Sequence, residues 1–163
     1  MRRLLVVLCV AALFAGCGFK PRAQLALASD LGPVAVSTAD PYSPLGQGLA
    51  TALRRAGVAE ATAGQPSATL QVVSESMRTR PLAVDATAQV REYETLYTVE
   101  FELRGADGAV RVRRQAVELS REYTYDALAS AGSPAEQQLL QEELRREMQA
   151  AILRRIDAAL RAD

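Results

Sequence analysis

The most regular pattern in this 163-residue chain is an alternation of apolar and charged positions in its central part. Glutamates occupy one side of the alternation, and the other side carries mostly apolar residues: Tyr93, Thr95, Tyr97, Val99, Phe101 and Leu103. Successive side chains of a strand point to opposite faces of a sheet, so this pattern predicts a strand with one buried face. Asp107-Gly108 then favours a tight hairpin turn into the next strand.

Three other segments have strand character, and two of them break their own alternation. Residues 33–38 form a short, mainly apolar run. Residues 69–80 change parity midway, and Pro81 marks the end or a bend of this strand because proline cannot donate to a ladder. Residues 110–123 also change parity, and a β-bulge near residues 114–116 would bring both halves onto one sheet face.

Two segments have the periodicity of amphipathic helices. Ser43-Pro44 begins the first, since serine caps a helix and proline is tolerated at its first position. Its apolar stripe consists of Leu45, Leu49 and Leu53, and Gly57 suits the left-handed residue that follows the last turn. The capping box Ser133-Pro134-Ala135-Glu136 begins the second helix. Its apolar ridge consists of Leu140, Leu144, Met148, Ile152 and Ile156.

The order of these elements predicts an α+β fold for residues 33–163. We expect a two-layer sandwich, in which one four-stranded, largely antiparallel sheet carries two helices packed on one face. This arrangement buries the apolar face of every strand and the apolar stripe of both helices. A chain of this length forms one domain, which at this size buries roughly 70% of the surface that the unfolded chain exposes.

Residues 1–16 have the features of a bacterial signal peptide: a basic start followed by an apolar run too short to span a bilayer. Leu13-Phe14-Ala15-Gly16-Cys17 resembles a lipobox. This resemblance implies cleavage before Cys17, an S-diacylglycerol on its sulfur and an acyl chain on its amino group. Residues 17–32 would then be a lipidated N-terminus and tether, and Gly18 favours sorting to the outer membrane. An ordinary secreted protein, with Cys17 as a buried thiol, stays open as the alternative.

Composition argues against several classes of function. Lys+Arg and Asp+Glu both number 19, whereas a nucleic-acid-binding domain is strongly basic. The chain has no histidine, which is the usual general base and the commonest metal ligand. It also lacks a nucleophile elbow, a Walker loop and a Cys/His ligand set. We therefore predict a non-enzymatic protein with no catalytic residue, no metal site and no cofactor.

Several segments resemble those of one known family in order and spacing. They are Gly16-Cys17-Gly18-Phe19-Lys20-Pro21-Arg22, the first helix and its exit at 43–58, Gln89-Val90-Arg91-Glu92-Tyr93, and Arg121-Glu122-Tyr123-Thr124-Tyr125-Asp126 before the long helix. Together they resemble the LptE family of lipopolysaccharide-assembly lipoproteins, from Cys17 to about Leu160. The resemblance implies an outer-membrane protein that plugs the β-barrel LptD, assists its assembly and takes part in lipopolysaccharide transport to the outer leaflet.

The same resemblance implies that the domain faces the periplasm or lies inside the barrel lumen. Direct binding of lipopolysaccharide phosphates calls for exposed arginines, which contact phosphate through two nitrogens at once. Arg78, Arg80 and Arg91 flank the turn between the first two long strands and are the candidates. The charges on this sheet also fit an ordinary solvated surface. A generic outer-membrane lipoprotein, acting as a binding or scaffold module without a barrel partner, stays open as the alternative function.

Overall fold

Six elements follow one another along the chain in the predicted order. The computed structural model describes residues 31–84, 90–124 and 133–162. The elements are β1 (Val34–Ser37), α1 (Pro44–Arg55), β2 (Ala68–Val84), β3 (Val90–Arg104), β4 (Val110–Thr124) and α2 (Ser133–Leu160). Along the chain the three long strands follow one another directly, whereas α1 comes between the short β1 and the first long strand, β2.

All four strands belong to one sheet in the order β1-β2-β3-β4. Only β1 and β2 run parallel, and the other two pairs are antiparallel. Both helices share a single core with one face of this sheet. The predicted α+β class, with a largely antiparallel sheet and both helices on one face, is confirmed.

The parity changes seen in the sequence correspond to irregularities of strand pairing. In β2 the register shifts between Val72 and Ser74, so Val73 is an extra residue with no partner on β3. A second shift, in β4, lies between Val112 and Gln115 and overlaps the start of the predicted bulge. The β4 shift allows Val112 and Val117 to be buried on the same face although their positions differ in parity.

The two ends of α1 have the predicted structure. The Oγ atom of Ser43 accepts a hydrogen bond from the backbone N–H of Gly46 at 3.3 Å, which caps the first turn. At the other end Gly57 has a φ of 86°, and the N–H of Val58 donates to the carbonyl of Leu53 at 3.1 Å. Glycine suits this position because a side chain would be strained at positive φ.

The core lies between the helices and the face of the sheet that they cover. Its largest fully buried side chains are Tyr97, Phe101, Leu45, Leu49, Leu70, Leu103, Leu144, Met148, Ile152, Ile156 and Val99. Leu31, just ahead of β1, also belongs to it. The predicted apolar ridge of α2 is therefore buried from Leu144 onward. Among the residues described, no helix is both long and apolar enough to cross a membrane.

Candidate functional site

The sheet face away from the helices carries mostly polar and charged residues. The register places the following residues on it: Ser74, Ser76, Arg78 and Arg80 of β2; Glu92, Glu94, Leu96, Thr98, Glu100 and Glu102 of β3; and Ala116, Glu118, Ser120 and Glu122 of β4. We call this surface the open face. Within the ranges that the structure describes, no element packs on it. Among the described elements, none therefore blocks a partner from this face.

Opposite charges pair across the open face. Arg80 donates to the Oε2 atom of Glu94 at 2.7 Å, and Arg114 donates to the carboxylate of Glu100. The hydrogen bonds and the positive charge of Arg114 lower the pKa of Glu100. These pairs leave the face polar with both signs interspersed, which matches the interpretation of its charges as a solvated surface.

The structure places two of the three candidate arginines side by side on the open face. Arg80 is held by Glu94, whose side chain is only 13% exposed. Arg78 is exposed and lies opposite Leu96, and no ion pair joins it to another described side chain. Arg91 belongs to β3 and lies at the register shift between Val90 and Glu92. The structure describes its backbone, and its side chain lies outside the described part. Arg78 is thus the freer cation of the pair.

Other predicted features lie outside the described residues. They include the signal peptide, the lipid-bearing Cys17, the tether up to residue 30, and the turn at 85–87 beside the candidate arginines. The lipid anchor therefore stays a prediction from the sequence. The side chains of Ser133 and Pro134, which belong to the predicted capping box, also lie outside this part.

A hydrogen-bonded network on the helix-covered face was not predicted from the sequence. The carboxylate of Glu75 accepts from the Oγ of Ser43 at 2.9 Å and from the Oη of Tyr97 at 2.7 Å. One side chain of β2 thereby joins the cap of α1 to a fully buried tyrosine of β3. The extra residue Val73 puts Glu75 on this face, and the parity change near it was the only signal in the sequence.

Tyr97 is a hydrogen-bond donor over a wide pH range in this setting. Burial raises the pKa of Tyr97 above its ordinary value, and the hydrogen bond and negative charge of Glu75 raise it further. The phenol therefore stays neutral and continues to donate to the carboxylate. The hydrogen bond to Glu75 satisfies the hydroxyl of Tyr97 in the core, since a buried hydroxyl without a partner is costly.

Two cavities lie at the β1 end of the sheet. The larger, of about 470 Å³, lies beside the outer edge of β1 and the start of α1. The smaller, of about 200 Å³, lies where β1 ends, and its lining includes Asp40, Ser43 and Glu75. The described segments contain no group of three or more acidic or cysteine side chains placed to hold a metal ion.

The fold and the open face define a class: a small two-layer α+β domain whose exterior suits a polar partner. The family model LptE, described as lipopolysaccharide-assembly, matches residues 31–156. The chain belongs to the LptE family of lipopolysaccharide-assembly lipoproteins. The resemblance found in the sequence is therefore confirmed over nearly all of the described domain.

Solved structures of lipoproteins share this fold. The crystal structure of rare lipoprotein B from Shewanella oneidensis is 24% identical, with a TM-score of 0.68, and the match covers 78% of this chain and 95% of that one. The solution structure of uncharacterized lipoprotein B from Nitrosomonas europaea is also 24% identical, with a TM-score of 0.72 and coverage of 86% and 91%. A minor lipoprotein from Acinetobacter baumannii is 19% identical, with a TM-score of 0.65 and coverage of 78% and 92%. Among curated proteins no match was found.

Proposed function

We propose that this protein is an outer-membrane lipoprotein that plugs an LptD-type β-barrel, assists the assembly of that barrel and so takes part in lipopolysaccharide transport to the outer leaflet. The observation that carries the proposal is the LptE family match over residues 31–156. Acylated Cys17 anchors the chain in the membrane, and the domain faces the periplasm or lies in the barrel lumen. The protein acts by binding, without catalysis, metal or cofactor.

The surface of the domain supports a partner of this kind. Lumens of outer-membrane barrels are polar, so a plug needs an apolar core and a polar exterior. The large apolar side chains that are exposed among the described residues belong to different elements and loops: Tyr42, Leu82, Val110 and Leu139. Without Arg2 and Arg3 of the signal peptide, 17 basic residues (19 minus 2) face 19 acidic ones, a formal net charge of −2. A nearly neutral, polar exterior of this kind fits a wet lumen.

Affinity purification tests the barrel partner. A tagged copy of the protein, extracted from outer membranes in mild detergent, is expected to bring down one large β-barrel in about equal amount. The lumen encloses a plug, so the pair is expected to survive washing in high salt, which screens exposed charge pairs. Recovery of the lipoprotein alone would contradict the proposal and favour a generic binding or scaffold module.

Direct contact with lipopolysaccharide is a finer proposal, and it concerns Arg78, Arg80 and Arg91. Changing all three to glutamate is expected to weaken binding of purified lipopolysaccharide about tenfold or more, because each charge-assisted hydrogen bond contributes about 1.5–3 kcal/mol. Of the single changes, Arg78→Ala is expected to have a larger effect than Arg80→Ala, since Glu94 competes with phosphate for Arg80. Binding is measured with immobilised lipopolysaccharide.

The chain offers a matched control for this measurement. Arg104, Arg111 and Arg113 are exposed arginines at the opposite end of the sheet, near the β3–β4 turn. Their triple change to glutamate alters the net charge by the same amount and is expected to leave affinity nearly unchanged. Equal losses in the two triple variants would show a general charge effect and remove the three candidates as a site. Circular dichroism and thermal melting confirm that both variants stay folded.

A further inference from the structure

Among the described strands, none lies beside one side of β2 over most of its length. β1 pairs only with Ala68–Gln71, whereas β2 continues to Val84. Along the remainder, β3 occupies one side, and no described strand occupies the other. We call the stretch Ser74–Arg80 on this unoccupied side the free β2 edge. Alternate backbone N–H and C=O groups of an edge strand point outward, so they form a template for another extended chain.

The free β2 edge has a regular register and defined limits. From Ser74 to Pro81 the pairing with β3 is antiparallel and unbroken in register. The extra residue Val73 lies just before this stretch, and Pro81, which has no N–H, lies just after it. A regular edge of this length, bounded by a bulge and a proline, is suited to accept one short strand.

The opposite edge of the sheet is protected by contrast. Arg155 of α2 donates to the backbone carbonyl of Ala116 in β4, and Arg121 of β4 pairs with Glu147 of α2 at 2.9 Å. Two register shifts between Val110 and Gln115 also disturb this edge. Covering side chains and bulges are common means by which proteins prevent strand addition. By contrast, no register shift falls within the free β2 edge, and the contact of α1 with it is the bond from Ser43 to the Glu75 side chain at its start.

Charges beside the free β2 edge indicate what kind of segment would fit there. Arg78, on the open-face side, is exposed and makes no ion pair among the described residues. On the helix-covered side the half-buried Met77 lies next along the strand. The 200 Å³ cavity, lined by Asp40 and Glu75, opens at the start of the edge, where a strand continuing the line of β1 would begin. Complementarity therefore calls for a basic residue near the cavity and an acidic residue beside Arg78.

We propose that an extended segment of the β-barrel partner pairs with the free β2 edge as an additional strand of this sheet. Main-chain hydrogen bonds supply the affinity, and an acidic side chain of the segment beside Arg78 fixes its register. This inference rests on the proposed plug function, and it adds the surface and the mode of contact. It places the contact on the backbone of one edge, and not on the open face as a whole.

Hydrogen exchange tests this mode of contact. The full lipidated protein is compared alone and in its complex with the barrel, in the same detergent, by mass spectrometry with fragmentation that resolves single amides. Alternate amides between Ser74 and Arg80 are expected to exchange about tenfold more slowly or better in the complex, because new main-chain hydrogen bonds protect them. Amides of β4 between Ala116 and Glu122 serve as the internal control and are expected to change little. Arg78→Glu is expected to reduce the protection on β2, whereas Arg104→Glu is not.

The outcomes separate this inference from the function on which it rests. If no barrel is recovered, the proposed plug function fails. If the complex forms and the amides between Ser74 and Arg80 exchange as in the protein alone, strand addition is wrong and the plug function stands. Protection that appears without the barrel and grows with protein concentration would show that a second copy occupies the edge. Protection without the barrel at every concentration would show that the chain covers its own edge, and either result overturns the inference.

Discussion

Replacing Cys17 with alanine is expected to leave the precursor uncleaved and free of fatty acid. The lipobox resemblance assigns the cleavage to the bond before Cys17 and the diacylglycerol to its sulfur, so alanine removes the atom that carries the lipid. Intact-mass spectrometry of the membrane fraction and incorporation of labelled palmitate measure both steps. A variant that is still cut directly before residue 17 would contradict the assignment.

The other cysteine of the chain provides the control. Cys9 lies inside the predicted signal peptide and leaves with it, so Cys9→Ala is expected to process and acylate normally. The difference between the two variants follows from anchor energetics. Each buried methylene contributes about 0.8 kcal/mol, a single chain binds membranes only marginally, and several chains hold a protein stably. A Cys17→Ala domain exported with a different, non-lipoprotein leader is therefore expected to leave the membrane fraction unless the barrel retains it.

Local signals in the sequence were sufficient for the order and type of the elements. The cap at Ser43 and the left-handed Gly57 each act within a few residues, so the ends of α1 could be read directly from the chain. The long alternation around Tyr97 likewise needed no information about its neighbours. Pro81 was expected to end or bend its strand, and β2 in fact continues past it with a register shift directly after it.

Features that depend on register between strands could not be predicted. The pairing of Arg80 with Glu94 joins residues fourteen positions apart, and it depends on how β2 and β3 align. The position of Glu75 depends on one extra residue, Val73, because a single insertion moves every later side chain to the other face. For the site, the neighbouring positions of Arg78 and Arg80 followed from strand periodicity, whereas the partner that holds only one of them did not.

The same limit applies to the free edge of the sheet. Its two ingredients, a short first strand and a long second one, are visible in the sequence. The sequence does not say which strand lies beside which. Because β1 pairs only with Ala68–Gln71, one side of the rest of β2 has no neighbour among the described strands. Strand order is a property of the packed domain. The free-energy cost of closing each loop is small compared with the free energy gained by burying apolar surface, so packing decides the order.

Removing the carboxylate of Glu75 is expected to destabilise the domain by about 2 kcal/mol in Glu75→Ala, since the buried hydroxyl of Tyr97 would lose its acceptor. Glu75→Gln keeps an acceptor oxygen and is expected to lose about half as much. In the Tyr97→Phe background Glu75→Ala is expected to cost less, because the hydroxyl that needed the carboxylate is gone. Urea denaturation of the four proteins completes a double-mutant cycle, whose coupling measures the interaction.

The control and a pH series make this prediction specific. Glu118 is an exposed glutamate of β4 whose carboxylate accepts a long hydrogen bond, of 3.4 Å, from the hydroxyl of Thr98. Glu118→Ala is therefore expected to change stability by less than about 0.5 kcal/mol.

The pKa of Tyr97 is raised in the folded state, so the contribution of Tyr97 to stability is complete below the unfolded pKa of about 10 and falls as the pH rises above it. Tyr97→Phe is therefore expected to flatten the alkaline loss of stability by up to about 1.4 kcal/mol per pH unit. Equal alkaline slopes in the two proteins, together with a coupling near zero, would show that Glu75 and Tyr97 are neighbours without a stabilising bond.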